Sequence, residues 1–341
     1  MESIDEHVKR LHEECIIVDA HYDLLENVDI ERSKGYRNVI KTKYLKSINE
    51  GMVDVIVCSL FIPTMYLPEM GLKKALDQIS ALYSEIDESE GRIVLCRTYD
   101  DIISAKKEKR LALLLSLEGV DPLTNDINLL RIFYELGVRF VGLAWSRRNF
   151  AADGCKTCKG KKGREWGLTE FGSELVKEAE KLGMIIDVSH LNDGGFDDVM
   201  NMTNGPVIAS HSNCREIACN MRNLMDDQIV KISERGGVIG MNACSAFVSD
   251  DEKLRDASHL AEHVDHIKQI AGIEHVGLGF DFNDFLIPAY DVGPKDTDYD
   301  VIKGHNHIKY FTKILIESGY SDEEIKLVLG KNFMNLYKRL Q

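Results

Sequence analysis

The sequence predicts an α/β chain folded as a (β/α)₈ TIM-type barrel, on three observations. Eight short apolar, β-branched runs alternate with longer amphipathic stretches, the pattern of a parallel sheet with crossover helices. The runs are continuously apolar rather than alternating, as when helices cover one face of each strand and a packed interior covers the other. Polar residues able to do chemistry gather just past the C-terminal ends of these runs, where barrels place their sites.

In chain order the expected strands are 16–20, 53–61, 111–117, 138–144, 184–189, 207–210, 237–242 and 275–280. Between them, apolar residues at helical spacing mark 72–84, 129–135, 171–182, 226–235 and 260–270. A last pair, 305–317 and 322–339, follows the eighth strand. The length of 341 residues suits one barrel spanning 1–341. An open doubly wound sheet is the competing architecture, but no glycine-rich phosphate loop follows the first strand. Gly277-Leu278-Gly279 lacks a third glycine and reads as small residues easing a crowded strand end.

The net charge of −14 argues against a nucleic-acid partner. No apolar run approaches the roughly 18 residues of a membrane span. The start is charged and lacks the order of a signal peptide, so a cytoplasmic protein is expected. Eight scattered cysteines agree with reduced thiols. Cys155 and Cys158 form the one CxxC, in a Gly/Lys-rich stretch read as an exposed loop, with no second CxxC to complete a zinc site.

The rim residues are His21 and Asp23 after the first strand, Glu118 after the third, and Trp145 and Ser146 after the fourth. His190 follows the fifth, His211 the sixth and Asp281 the eighth. Imidazole with carboxylate suits zinc, manganese, iron, cobalt or nickel. His21 and Asp23, two apart, share one face of an extended segment and can bind one ion. His190 and His211 come from neighbouring strands and can hold a second, with Glu118 bridging. Bridged ions sit about 3.5–4 Å apart and share a water whose lowered pKa makes hydroxide available near neutral pH. Asp19 and Asp187, inside strands, read as groups that orient the ligands. His259, His263 and His266 stand among charged residues and read as solvated or capping, and His7, His12, His275, His305 and His307 have no partner at a recognisable spacing.

These motifs resemble the membrane dipeptidase (renal dipeptidase) family of zinc metallopeptidases. The resemblance rests on Asp19-Ala20-His21-Tyr22-Asp23, Leu117-Glu118-Gly119, Gly137-Val138-Arg139 and Gly167 to Gly172. It continues through Leu182 to His190, Pro206 to Ser212, Met221-Arg222-Asn223 with Asp226-Asp227, Gly277 to Phe282 and Gly330 to Phe333, nearly the whole chain. It implies a barrel of the metal-dependent hydrolase type, two zinc ions, a small dipeptide substrate (one with a C-terminal D-residue included) and a homodimer. By position, His21 and Asp23 would bind one zinc, His190 and His211 the other, and Glu118 would bridge. Arg222 falls where the family binds the substrate carboxylate, a task suited to a guanidinium fork. Asp281 falls where it places an acid/base carboxylate. Vertebrate members carry a substrate-contacting histidine where this chain has Trp145, whose indole donates one N–H and cannot titrate. Asn149 and Asp153 are nearby candidates for replacement polar contacts. The departure keeps a second reading open, a binuclear hydrolase of another small amide, lactam or ester. A non-catalytic barrel would be supported by a lost ligand, and none of the five is lost.

Overall fold

A computed structural model describes residues 2–155, 166–283 and 298–340. Nine parallel strands form one sheet: β1 Val18–Tyr22, β2 Val55–Phe61, β3 Ile93–Leu95, β4 Leu111–Glu118, β5 Val138–Gly142, β6 Ile185–Asp187, β7 Val207–Ile208, β8 Ile239–Met241 and β9 Val276–Leu278. Eight run in the order β7-β6-β5-β4-β2-β1-β9-β8. A parallel bridge between Ala209 and Ile239 joins the two ends of that path and closes the ring. The barrel and its eight strands are thus as expected, with several strands shorter at their ends.

The extra strand, β3, pairs with Leu111–Leu113 of β4, while β5 pairs with Leu115–Glu118 on the same strand. Three residues are too few to show a period, so Ile93–Leu95 carried no signal of its own. The expected helices stand at Gly71–Glu88, Asn128–Glu135, Glu170–Lys181, Asp226–Glu234 and Ala257–Ile270. The stretch read as one helix from 322 is two, Asp322–Lys326 and Asn332–Tyr337, separated where Gly330 leaves helical geometry. Among the described residues no helix is long and apolar enough to cross a membrane.

Successive strand residues point to opposite faces and so divide the core in two. Ile56, Cys58, Leu113, Leu115 and Val141 pack outward under the helices. Val18, Val55, Val57, Ala112, Leu114, Phe140, Ile185 and Ile208 pack inward, together with Phe333 and Tyr337. Helix Asn332–Tyr337 therefore packs into the interior, with the Tyr337 ring 5.3 Å from that of Phe140. Gly277 makes room for it, since a Cβ there would lie 2.4 Å from the Phe333 ring. The crowding expected around Gly277 and Gly279 is real.

Candidate metal centre

Each rim residue is delivered by the end of a strand. His21 is the penultimate residue of β1 and Glu118 the last of β4, while His190, His211 and Asp281 lie just past β6, β7 and β9. All five are buried, as is Asp23. His190 (φ 71°) and Asp281 (φ 55°) hold left-handed backbone, uncommon for residues with a side chain and frequent at functional sites.

The side chains converge. His21 Nε2 lies 3.4 Å from Glu118 Oε2, 3.8 Å from Asp281 Oδ1 and 3.9 Å from Asp23 Oδ1. His190 Nε2 lies 3.0 Å from Glu118 Oε1 and 2.9 Å from His211 Nε2. The rings of His21 and His211 stack at 3.6 Å. Three triads bring their ligand atoms within 4.8 Å of one another: His21 with Asp23 and Glu118, Glu118 with His190 and His211, and His21 with His211 and Asp281. The first two are the pair of triads read from the sequence, sharing Glu118. The third adds Asp281, to which the sequence reading gave no ligand role.

A layer of hydrogen bonds aims these groups. Ser210 Oγ donates to Asp187 and lies 2.7 Å from His211 Nδ1. Its one proton is spent on the carboxylate, so His211 Nδ1 carries the ring hydrogen and Nε2 presents a lone pair. Ser146 Oγ meets His190 Nδ1 at 2.8 Å. Asp187 also accepts from the amides of Ser189 and Ser210, tying β6 to β7. Asp19 accepts from the amides of Phe280 and His21 and from His305 Nε2 at 2.8 Å, tying β1 to β9. Asp187 thus reaches the His211 ring through Ser210, whereas Asp19 bonds to backbone amides and to His305. Ser59 donates to Asp23, and Asn242 Nδ2 to Asp281 Oδ2 at 2.9 Å.

The charges conflict in a way that a cation resolves. Burial opposes a proton on His21, but Glu118, Asp281 and Asp23 outweigh it and raise the imidazole to about 10. Burial, then the Arg222 guanidinium, lowers His190 to about 3. His211 is held well below its ordinary value by burial, then by His21 and Arg222. Burial favours the neutral acid at Glu118, yet His21 and His190 hold its carboxyl well below the usual range. Asp23 is raised by burial and then by Glu118, and burial likewise raises Asp281. His21 Nδ1 and Nε2 and Glu118 Oε2 are buried without a hydrogen-bond partner. Unspent nitrogen and carboxylate donors in one cluster fit divalent transition-metal ions.

Arg222 is buried beside the cluster. It donates to the His211 carbonyl at 2.9 Å and to Ser212 Oγ at 3.3 Å, its Nε has no partner, and it forms no ion pair among the described residues. The Trp145 ring lies 5.8 Å from that of His190. Asn149 and Asp153 are placed differently. Asn149 spends its amide on Leu143 O and on the amides of Ala151 and Ala152. Asp153 pairs with Arg148 and accepts from Trp166 N. Both clasp the loop after β5, and neither is brought to the ligand atoms.

The stretch read as an exposed loop begins buried: Asp153 and Cys155 are both inside, and Cys155 Sγ donates to Ser146 Oγ at 3.6 Å. Cys158 lies outside the described residues. His263, expected to be solvated or capping, is fully buried. Sequence reasoning missed the His305–Asp19 pair, which joins residues 286 apart, and the roles of Ser59, Ser210 and Asn242, short polar residues with no pattern of their own.

A family model described as membrane dipeptidase (peptidase family M19) matches residues 5–341. The chain belongs to the membrane dipeptidase family. An uncharacterized dipeptidase of Schizosaccharomyces pombe is 31% identical over 312 residues, 87% of this chain and 72% of the relative. Dipeptidase verJ of Clonostachys rogersoniana is 27% identical over 94% of this chain and 83% of its own length. Among solved structures, a metallo peptidase described as dipeptidase AC superposes with a TM-score of 0.84 at 26% identity, covering 96% of this chain and 98% of that one. A Rhodobacter sphaeroides metallo peptidase, solved with a phosphinate mimic of the dipeptide L-Ala-D-Ala, shares the fold with a TM-score of 0.84 at 24% identity, covering 96% of this chain and 99% of its own. Membership in this metallo-dipeptidase family makes the chain a hydrolase of peptide bonds, and the triads are candidates for the metal donors that such an enzyme needs.

Proposed function

We propose that the chain hydrolyses small dipeptides with two zinc ions, one held by His21 and Asp23, the other by His190 and His211, with Glu118 shared. The observation that carries the substrate class is Arg222. A buried guanidinium with an unspent Nε and no carboxylate partner among the described residues is matched by the carboxylate of a short substrate. Such an anchor restricts the enzyme to substrates whose scissile bond lies one residue from the carboxylate.

Two divalent ions, when bound, supply water activation and carbonyl polarisation at neutral pH. The chain's own groups do the rest. Asp281, fixed by Asn242 through Oδ2, takes the proton of the attacking water on its other oxygen and passes it to the leaving amine. Burial already favours a proton on this carboxyl, which suits a group that must hold one between steps.

The test is a panel of L,L and L,D dipeptides, L-Ala-D-Ala among them, assayed with metal-loaded protein and after chelation. Arg222→Met should raise KM on the order of 100-fold, since it removes a charge-assisted pair with the substrate. It should not alter cleavage of a dipeptide with a blocked carboxylate. Turnover indifferent to chelation, or equal use of free and blocked carboxylates by the wild type, would overturn the scheme and favour the hydrolase of another amide, lactam or ester.

A further inference from the structure

The rim carries an aromatic wall that the metal chemistry does not use. Trp145 follows β5 and Phe61 ends β2, with the Glu118 strand between them in the ring. Their rings lie 5.3 Å apart, within ring-contact range. The Arg147 guanidinium lies 5.2 Å from the Trp145 ring and 5.7 Å from that of Phe61, the range of a cation–π contact. Arg147 is itself tethered, donating to Ile62 O at 2.8 Å and facing Asp121 at 3.4 Å.

The backbone is as constrained as the rings. Gly119 has φ +82°, and a Cβ there would lie 3.1 Å from Trp145 N and 2.7 Å from Asp121 Oδ2. A side chain at 119 would push the start of this loop off the end of β4. Trp145 is half-buried, and its ring is next to that of a proposed metal ligand.

The wall and Arg222 occupy different arcs of the rim. Around the ring, β2, β4 and β5 form one arc, and β7, β8 and β9 face it across the interior. Arg222 bonds to the carbonyl of His211 at the end of β7. A dipeptide with its carboxylate on Arg222 and its peptide bond over the ligand cluster therefore extends its first residue toward Trp145 and Phe61.

We propose that Trp145, braced by Phe61 and Arg147, is the specificity-determining residue for the substrate's N-terminal side chain. It selects apolar and aromatic first residues and disfavours cationic ones. The selection is physical: a pre-ordered indole adds apolar contact at little entropic cost, and a cationic side chain placed against this wall gives up hydration with no free carboxylate to meet it among the described residues, since Asp121 is already paired with Arg147. This inference rests on the dipeptidase reading.

The experiment compares kcat/KM for Gly-Ala, Leu-Ala, Phe-Ala and Lys-Ala with metal-loaded wild type, Trp145→Ala and Trp145→Phe. Wild type should prefer Phe-Ala to Gly-Ala by about tenfold or more, with Lys-Ala the poorest. Trp145→Ala should collapse that ratio toward one, mainly through KM for Phe-Ala, and Trp145→Phe should restore most of it. The ratio is independent of how much of each variant folds. A ratio unchanged by Trp145→Ala, or wild type favouring Lys-Ala, overturns the inference and leaves the dipeptidase reading intact. No hydrolysis of any dipeptide by the metal-loaded wild type overturns both.

Discussion

The rim of the barrel and its helical shell both bury histidines, and they use them in opposite ways. In the shell, His12 sets Nδ1 against Gly51 O at 3.1 Å and Nε2 against Thr312 Oγ1 at 2.8 Å. His263 sets Nδ1 against Cys214 N and Nε2 against Val248 O. Both nitrogens of each ring are spent on protein. At the rim, His190 and His211 spend Nδ1 on Ser146 and Ser210 and turn Nε2 toward Glu118 and each other. His21 has no hydrogen-bond partner at either nitrogen. Burial alone does not separate a ligand from a core histidine. An Nε2 left unspent and facing a carboxylate is what marks the rim histidines as candidate ligands.

Breaking the comparison at its centre gives the largest effect. Glu118→Gln removes the charge that both triads share and should lower dipeptide turnover on the order of 10³-fold. Elemental analysis should show less metal per chain. Full activity in this variant would mean that the rim histidines do not work as a unit with Glu118.

A smaller effect tests the orienting layer. Ser210→Ala removes the acceptor that fixes the His211 tautomer and should weaken metal binding about 10–100-fold, read by competition with a chromophoric chelator. His12→Gln, in the shell, should leave that affinity where it was. Equal weakening in both would erase the distinction between the two regions.

The smallest effect concerns pH and isolates the shell. Burial lowers His12 and His263 to about 4 from an ordinary 6.5. Between those values the unfolded chain binds protons that the folded chain refuses. Stability is therefore lost as pH falls from about 6.5 to about 4, by about 1–3 kcal/mol for each ring. Urea melts at pH 7 and pH 5 should show a smaller loss for His12→Gln than for wild type. Identical pH slopes would remove His12 from the account.

The legible part of the fold was the part with long, uniform signals. Strand β4, Leu111–Glu118, is eight residues of nearly pure apolar sequence ending in the candidate ligand Glu118, so strand and candidate are legible together. Strand β3 has three residues and leans on the edge of β4, so tertiary context creates it. At the rim, residues at the ends of the apolar runs converge, because position on the chain and position on the rim are the same fact in a barrel. His305 was not legible in this way, since it reaches Asp19 only after the whole ring has closed. His263 was misjudged for a different reason. Its neighbours Glu262 and Asp265 are charged, but it shares a face with Leu260, Val264 and Ile267, all buried, and that spacing was readable. Asn149 and Asp153 had polarity and nearness to the rim, and their loop's own backbone claimed them instead.

Helix Asn332–Tyr337 follows all nine strands in the chain, yet Phe333 and Tyr337 lie in the interior beside the first of them. During synthesis every strand and every rim residue emerges before this helix, which packs against the inward residues of the strands. Until those side chains arrive, the inward residues of the strands, Val18, Val55 and Phe140 among them, lack part of the packing that covers them in the folded barrel. Phe333 and Tyr337 thereby tie the packing beneath the rim to a helix far from β1 in the chain, so a change at Phe333 should be felt at strands that precede it by most of the sequence.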